Sequence, residues 1–177
     1  MDNLIRDNMG GLHISAVGEF DSWVAGNRFA ENTDWGALID ATGGAGETLR
    51  LRVDDNRFEN GIAGLRGVAD GYDSGEVRIS GNTVRDTTDR GLWFRMMAGA
   101  GSTGGMTVEL LDNTAVNAGA AAGGVGLYAG VRTVDGDALV RMEGNVVNGA
   151  GGRGLYGEAF GLQAGSAGLL LAGNRVT

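Results

Sequence analysis

The residues able to do chemistry in this chain are few and dispersed. It carries 22 acidic residues, 14 basic residues, a single histidine and no cysteine. Carboxylates are the groups that cleave polysaccharides, one acting as acid and a second as base or nucleophile across the same bond. Asp40, Asp54, Asp55, Asp70 and Glu158 are available, and Asp40 and Glu158 are the weak catalytic candidates. No recognisable catalytic constellation surrounds them. His13 has no partner at catalytic or metal-ligand spacing and is expected on a surface strand. With no thiolate and no histidine pair, neither a metal site nor a cofactor is expected. Gly99-Ala100-Gly101-Ser102-Thr103-Gly104 and Gly149-Ala150-Gly151-Gly152-Arg153-Gly154 match the dinucleotide fingerprint. Strand-like sequence follows each, so no helix N-terminus is available for a pyrophosphate. Gly43-Gly44-Ala45-Gly46-Glu47-Thr48-Leu49 is a single glycine-rich turn rather than a tandem calcium repeat.

An aromatic column is the sharper pattern. Aligned on a recurring Gly-Leu pair or a close variant, the next residue is in turn His13, Leu38, Arg66, Trp93, Tyr128 and Tyr156. The following outward position carries Ser15, Asp40, Arg95 and Glu158. Trp93, Tyr128 and Tyr156 with Arg95 are therefore the candidate ligand-binding residues: a run of rings could stack on sugar, with polar groups beside it for the hydroxyls. The competing reading is a cross-rung aromatic stack that supports the sheet.

A repeat must position these residues. Asn3, Asn27, Asn56, Asn82, Asn113, Asn145 and Asn174 recur at intervals of 24, 29, 26, 31, 32 and 29 residues inside one phrase: apolar, x, apolar, x, Gly/Asp, Asn, x, apolar. The first copy, Asp2-Asn3-Leu4-Ile5, is partial. Three positions before the asparagine stand Val24, Val53, Ile79, Leu110, Met142 and Leu171. Five before it stand Leu51, Val77, Val108, Val140 and Leu169, and two after it Ile5, Phe29, Phe58, Val84, Ala115, Val147 and Val176. Period two marks strands with these columns facing one interior, and Arg52, Arg78, Glu109 and Arg141 between them facing water. Each repeat reads as strand, bend at Gly/Asp-Asn, short strand, turn, strand, loop. One such unit cannot bury its apolar face alone, but stacked neighbours can. Asparagines stacked at about 4.8 Å can hydrogen-bond as a ladder through Asn27, Asn56, Asn82, Asn113, Asn145 and Asn174. Asparagine also tolerates the left-handed backbone that a bend of this kind needs.

In its asparagine column, coil length and three-strand coil the chain resembles the right-handed parallel β-helices of pectate-lyase-like proteins, across essentially its whole length. The resemblance implies an all-β solenoid of about six coils. It is nearly silent on activity, since such helices host lyases, hydrolases, epimerases, adhesins and phage tail proteins. The family's lyases use an arginine in a proline-containing motif with calcium-binding carboxylates, and this chain has no proline. The paired aspartates with a downstream histidine of its polygalacturonases are missing too, because His13 precedes every acidic pair.

Composition agrees with one domain, residues 1–177, a segment of a longer solenoid or a unit that stacks end to end. Glycine numbers 35 of 177 residues and falls at turns. The net charge of −8 disfavours nucleic acid, which selects a basic stripe. No apolar run of about 20 residues is present for a membrane span, and the first residues are not a signal peptide. Helical periodicity is poor throughout, with one helix-like patch at Ala118 to Ala122. The expectation is a non-enzymatic extracellular or cell-surface scaffold contacting glycan. The alternatives are a polysaccharide lyase, hydrolase or epimerase, or an end-to-end assembling unit.

Overall fold

A computed structural model describes residues 3–177; Asp2 of the partial first copy lies outside them. Among the described residues every regular element is a strand. The strands lie on three faces of a solenoid. The leading face holds Phe20–Ala25, Thr48–Asp54, Ser74–Ser80, Met106–Leu111, Ala138–Glu143 and Ala167–Ala172, stacked in chain order and parallel. Each runs into an asparagine corner. Beyond it a short face begins with strands such as Leu4–Arg6, Arg28–Ala30, Thr114–Ala118 and Val146–Asn148. The long face follows, with Gly10–Val17, Trp35–Thr42, Val125–Thr133 and Arg153–Gly161.

In two middle coils the turn expected between the short and long faces is absent. Arg57–Tyr72 and Thr83–Ala98 run unbroken around that corner. Their pairing shifts register between Gly61 and Ala63, so the bend is taken up by a bulge rather than a separate turn. The helix-like patch is likewise no helix: Ala118 ends a strand and a loop follows.

The expected apolar columns meet in one core. Val53, Ile79, Leu110 and Met142 are fully buried beside Leu51, Val77, Val108 and Val140. From the short face, Phe29 and Phe58 stack with centroids 5.0 Å apart and planes 7° from parallel. Val84, Ala115 and Val147 extend that column. Each large side chain removed from water contributes about 1.5–3 kcal/mol, and because parallel rungs repeat, the same face is buried in each inner coil. The matching residues of the last coil, Leu169, Leu171 and Val176, are about half exposed.

The asparagine corner is a continuous ladder. Side-chain Nδ2 donates to the next Oδ1 from Asn3 to Asn27 (2.9 Å), Asn27 to Asn56 (3.1 Å), Asn56 to Asn82 (3.1 Å), Asn82 to Asn113 (3.1 Å), Asn113 to Asn145 (3.1 Å) and Asn145 to Asn174 (2.9 Å). The same Oδ1 also accepts the preceding asparagine's backbone N–H, as Asn82 accepts that of Asn56 at 2.9 Å. The left-handed residue of the bend is not the asparagine. It is the residue before it, in the order Gly26, Asp55, Gly81, Asp112, Gly144 and Gly173, with φ between 54° and 66°. Asparagine keeps ordinary φ so that its amide can point inward along the stack.

Candidate functional site

Strand pairing puts the aromatic column together as the Gly-Leu alignment predicts. Trp93 lies opposite Tyr128, and Tyr128 opposite Tyr156, on adjacent rungs of the long face. Trp93 and Tyr128 stack at 5.0 Å with planes 13° apart, while Tyr128 and Tyr156 meet at 5.5 Å and 50°. The Arg90 guanidinium lies 5.0 Å from the Trp93 ring centre and that of Arg153 4.2 Å from the Tyr156 ring, both within cation–π range. The rings therefore turn faces toward one another and toward guanidiniums. Tyr128, between two rings, is buried, whereas Trp93 and Tyr156 keep partial access to solvent.

The next outward column, Ser15, Asp40, Val68, Arg95, Gly130 and Glu158, holds the polar groups. The Tyr128 hydroxyl donates to Glu158 Oε2 at 3.0 Å, and the Tyr156 hydroxyl donates to Oε1 of the same carboxylate. Gly130 makes this possible. A Cβ there would overlap the Tyr128 hydroxyl, so the ring lies across the notch that glycine leaves. Burial raises the Tyr128 phenol above its ordinary value, and its bond to Glu158 raises it further. The bond to Glu158, then burial, raise Tyr156. Both phenols thus remain protonated donors at neutral pH, and they fix Glu158 as an oriented acceptor.

A groove of ≈ 330 Å³ opens beside this clamp, lined by Arg95, Met97, Tyr128, Arg132, Glu158 and Phe160 among others. Arg95 Nε is buried without a hydrogen-bond partner, as is Asp70 Oδ1. The groove offers a carboxylate acceptor, guanidinium donors and apolar walls, an arrangement suited to holding a polar ring-shaped ligand. Gly130, Arg132 and Phe160 were not distinguishable from sequence. Their part depends on how far Tyr128 leans along its strand, which period-two patterning does not specify.

The two carboxylate candidates are not brought together. Asp40 and Glu158 share a column but stand four rungs apart, roughly 19 Å at about 4.8 Å per rung. Carboxyl pairs that cleave glycosidic bonds lie about 5–9.5 Å apart. Asp40 instead approaches His13, with Nε2–Oδ2 at 3.5 Å and both side chains about half exposed. The sequence spacing of 27 residues hid this contact, which is a diagonal between neighbouring rungs. Among the described residues no three His, Cys, Asp or Glu side chains gather to hold a metal ion, and no helix is long and apolar enough to cross a membrane.

Asp70 gives a pH prediction. Burial raises its pKa, against the attraction of Arg95, so its charged form is disfavoured on folding. Stability associated with the neutral form is present below the unfolded aspartate pKa of about 3.9 and is lost as pH rises through the folded value. Asp70→Asn should therefore raise the melting temperature at pH 7, and the gain should vanish below about pH 3.9. A gain that persisted in acid would assign the effect to packing instead.

Comparison with known proteins finds no matching family model, no matching curated protein and no matching solved structure.

Proposed function

We propose that this chain is a rigid β-helix scaffold of an extracellular or cell-surface protein, of the pectate-lyase-like kind, that contacts glycan along its long face. That reading rests on the groove beside Tyr128, where Glu158 is held by two phenols and the Arg95 Nε has no protein partner. A sugar offers vicinal hydroxyls to such a carboxylate and guanidinium, and its apolar C–H face to Phe160 and Leu162. Because Glu158 is clamped and Asp40 is four rungs away, the groove is built to bind rather than to cleave.

Native affinity electrophoresis through gels containing individual polysaccharides tests this. Arg95→Ala and Tyr156→Phe should each weaken retention about tenfold, the first by removing donors to the ligand and the second by releasing Glu158 from one of its two phenols. Retention unchanged in both variants, on every polysaccharide that retards the parent chain, removes the reading. Release of new sugar ends that disappears in Glu158→Gln would favour the catalytic alternative instead.

A further inference from the structure

The leading face carries an exposed tryptophan that the long-face groove does not involve. Trp23 is 71% exposed. Its strand position points it outward, at the head of a column continued by Arg52, Arg78, Glu109, Arg141 and Leu170. Exposed indoles are usually mobile, yet this one is held. Its Nε1 donates to Asp54 Oδ2 at 3.0 Å, and the other oxygen of Asp54 accepts from Ser80 Oγ at 2.5 Å. One carboxylate thus ties a ring on the first rung of this face to the second and third rungs.

Around the ring lies a groove of ≈ 400 Å³ lined by Asp21, Ser22, Arg50, Leu51, Arg52 and Glu76. Asp21, Arg50 and Glu76 sit opposite one another on successive rungs with alternating sign. Even so, among the described residues none of Asp21, Arg50, Arg52 or Glu76 forms a side-chain ion pair. Two carboxylates and two guanidiniums are therefore free to bond a ligand beside a pre-positioned aromatic surface.

We propose that this is a second binding site, for a neutral saccharide. A pyranose presents an apolar C–H face to an indole, and its edge carries hydroxyls that both donate and accept. Carboxylates take the donated protons and guanidiniums supply donors to the ring and hydroxyl oxygens. The mixed signs select no net charge: a polyanion would meet Asp21 and Glu76, and a polycation Arg50 and Arg52. Anchoring by Asp54 removes part of the ordering cost that a free tryptophan would bear on binding.

The test uses the whole chain with soluble β-glucan, galactomannan and arabinoxylan as probes, read by affinity electrophoresis and by tryptophan fluorescence. Trp23→Ala sits on an outward position and leaves the core columns untouched, so it should fold, as circular dichroism would confirm. The expected result is retardation and a blue-shifted emission of the parent chain by at least one of these neutral polymers. Trp23→Ala should lose the shift and about tenfold or more in affinity. Asp54→Asn, which loosens the ring while keeping it, should give an intermediate loss. The groove variants Arg95→Ala and Tyr156→Phe should leave the Trp23 signal intact, which separates failure of this site from failure of the long-face groove. Absence of binding by all three polymers overturns the proposal, as does a Trp23→Ala variant that binds like the parent. A shift produced by charged peptides but by no sugar would also overturn it, and would make the face a protein-docking surface.

Discussion

Asn82→Ala lowers the free energy of unfolding by about 3–5 kcal/mol, whereas Asn174→Ala lowers it by less than about 1 kcal/mol. Asn82 is fully buried. Its Nδ2 donates to Val53 O at 2.7 Å, Ser80 O at 3.0 Å and Asn113 Oδ1 at 3.1 Å, and its Oδ1 accepts both the N–H and the Nδ2–H of Asn56. Alanine removes all of these and supplies nothing, leaving the Asn56 N–H in a dry corner. Each buried group left unpaired costs about 1–3 kcal/mol, and several are left at once. Asn174 is the last member and only partly buried, with water available to substitute. Urea denaturation followed by circular dichroism gives both numbers. Equal losses at the two positions would mean that the asparagines act as independent turn residues.

Gly91→Val should be at least as damaging, costing about 3 kcal/mol or more and yielding mostly insoluble protein. Gly11, Gly36, Gly64, Gly91, Gly126 and Gly154 form a column at the start of the long face. A Cβ on Gly64 would sit 2.7 Å from the Gly91 carbonyl oxygen, and one on Gly91 would overlap the carbonyl oxygen of Gly126. The obstacle is the backbone of the adjoining rung, whose spacing is fixed by ladder hydrogen bonds, so no rotamer change relieves it. Gly123→Ala is the control. Its φ is +84° but nothing lies within 4 Å of the added atom, so it costs only the left-handed strain of about 1–2 kcal/mol. Soluble yield and urea midpoint for the two variants separate rung crowding from backbone strain.

The parts of the fold legible in sequence are those with a short period. Alternation around each asparagine placed Val53, Ile79, Leu110 and Phe58 inside, and the Gly-Leu pair fixed the register of the long face down to the outward column Trp93, Tyr128 and Tyr156. What escaped depends on contacts between coils about thirty residues apart. Asparagine tolerates a left-handed backbone, yet the Gly or Asp before it is the residue that adopts one. The alternation of Gly26, Asp55, Gly81, Asp112 and Gly144 has its own cause: a Cβ on Gly81 would overlap Asp55 Oδ1, and one on Gly144 would overlap Asp112 Oδ1. Each aspartate needs a glycine on the rung above it.

The sites follow the same division. That Tyr128 and Glu158 belong to neighbouring outward columns was readable. That Tyr128 leans across Gly130 to reach Glu158 was not, because it rests on a rotamer and a missing side chain on the same strand. Trp23 does not stand out in the sequence because most of its column, Arg52, Arg78, Glu109 and Arg141, is charged and reads as ordinary solvated surface. Its distinction comes from Asp54 and Ser80 on two other rungs. The His13–Asp40 contact was invisible for the same reason.

The chain winds as a parallel stack in which every outward column climbs one rung per coil. Electron–electron distances between spin labels on the Trp23 column test it most directly, with label pairs at Arg52 and Arg141 and at Arg52 and Leu170. These sites lie three and four rungs apart, so the mean distance should lengthen by about 4.8 Å, from roughly 14 to roughly 19 Å between backbones. Two narrow distributions with that increment are the predicted result. Distances that do not grow with coil number, or a Leu170 label nearer to Arg52 than the Arg141 label, would contradict the stack and with it both proposed sites.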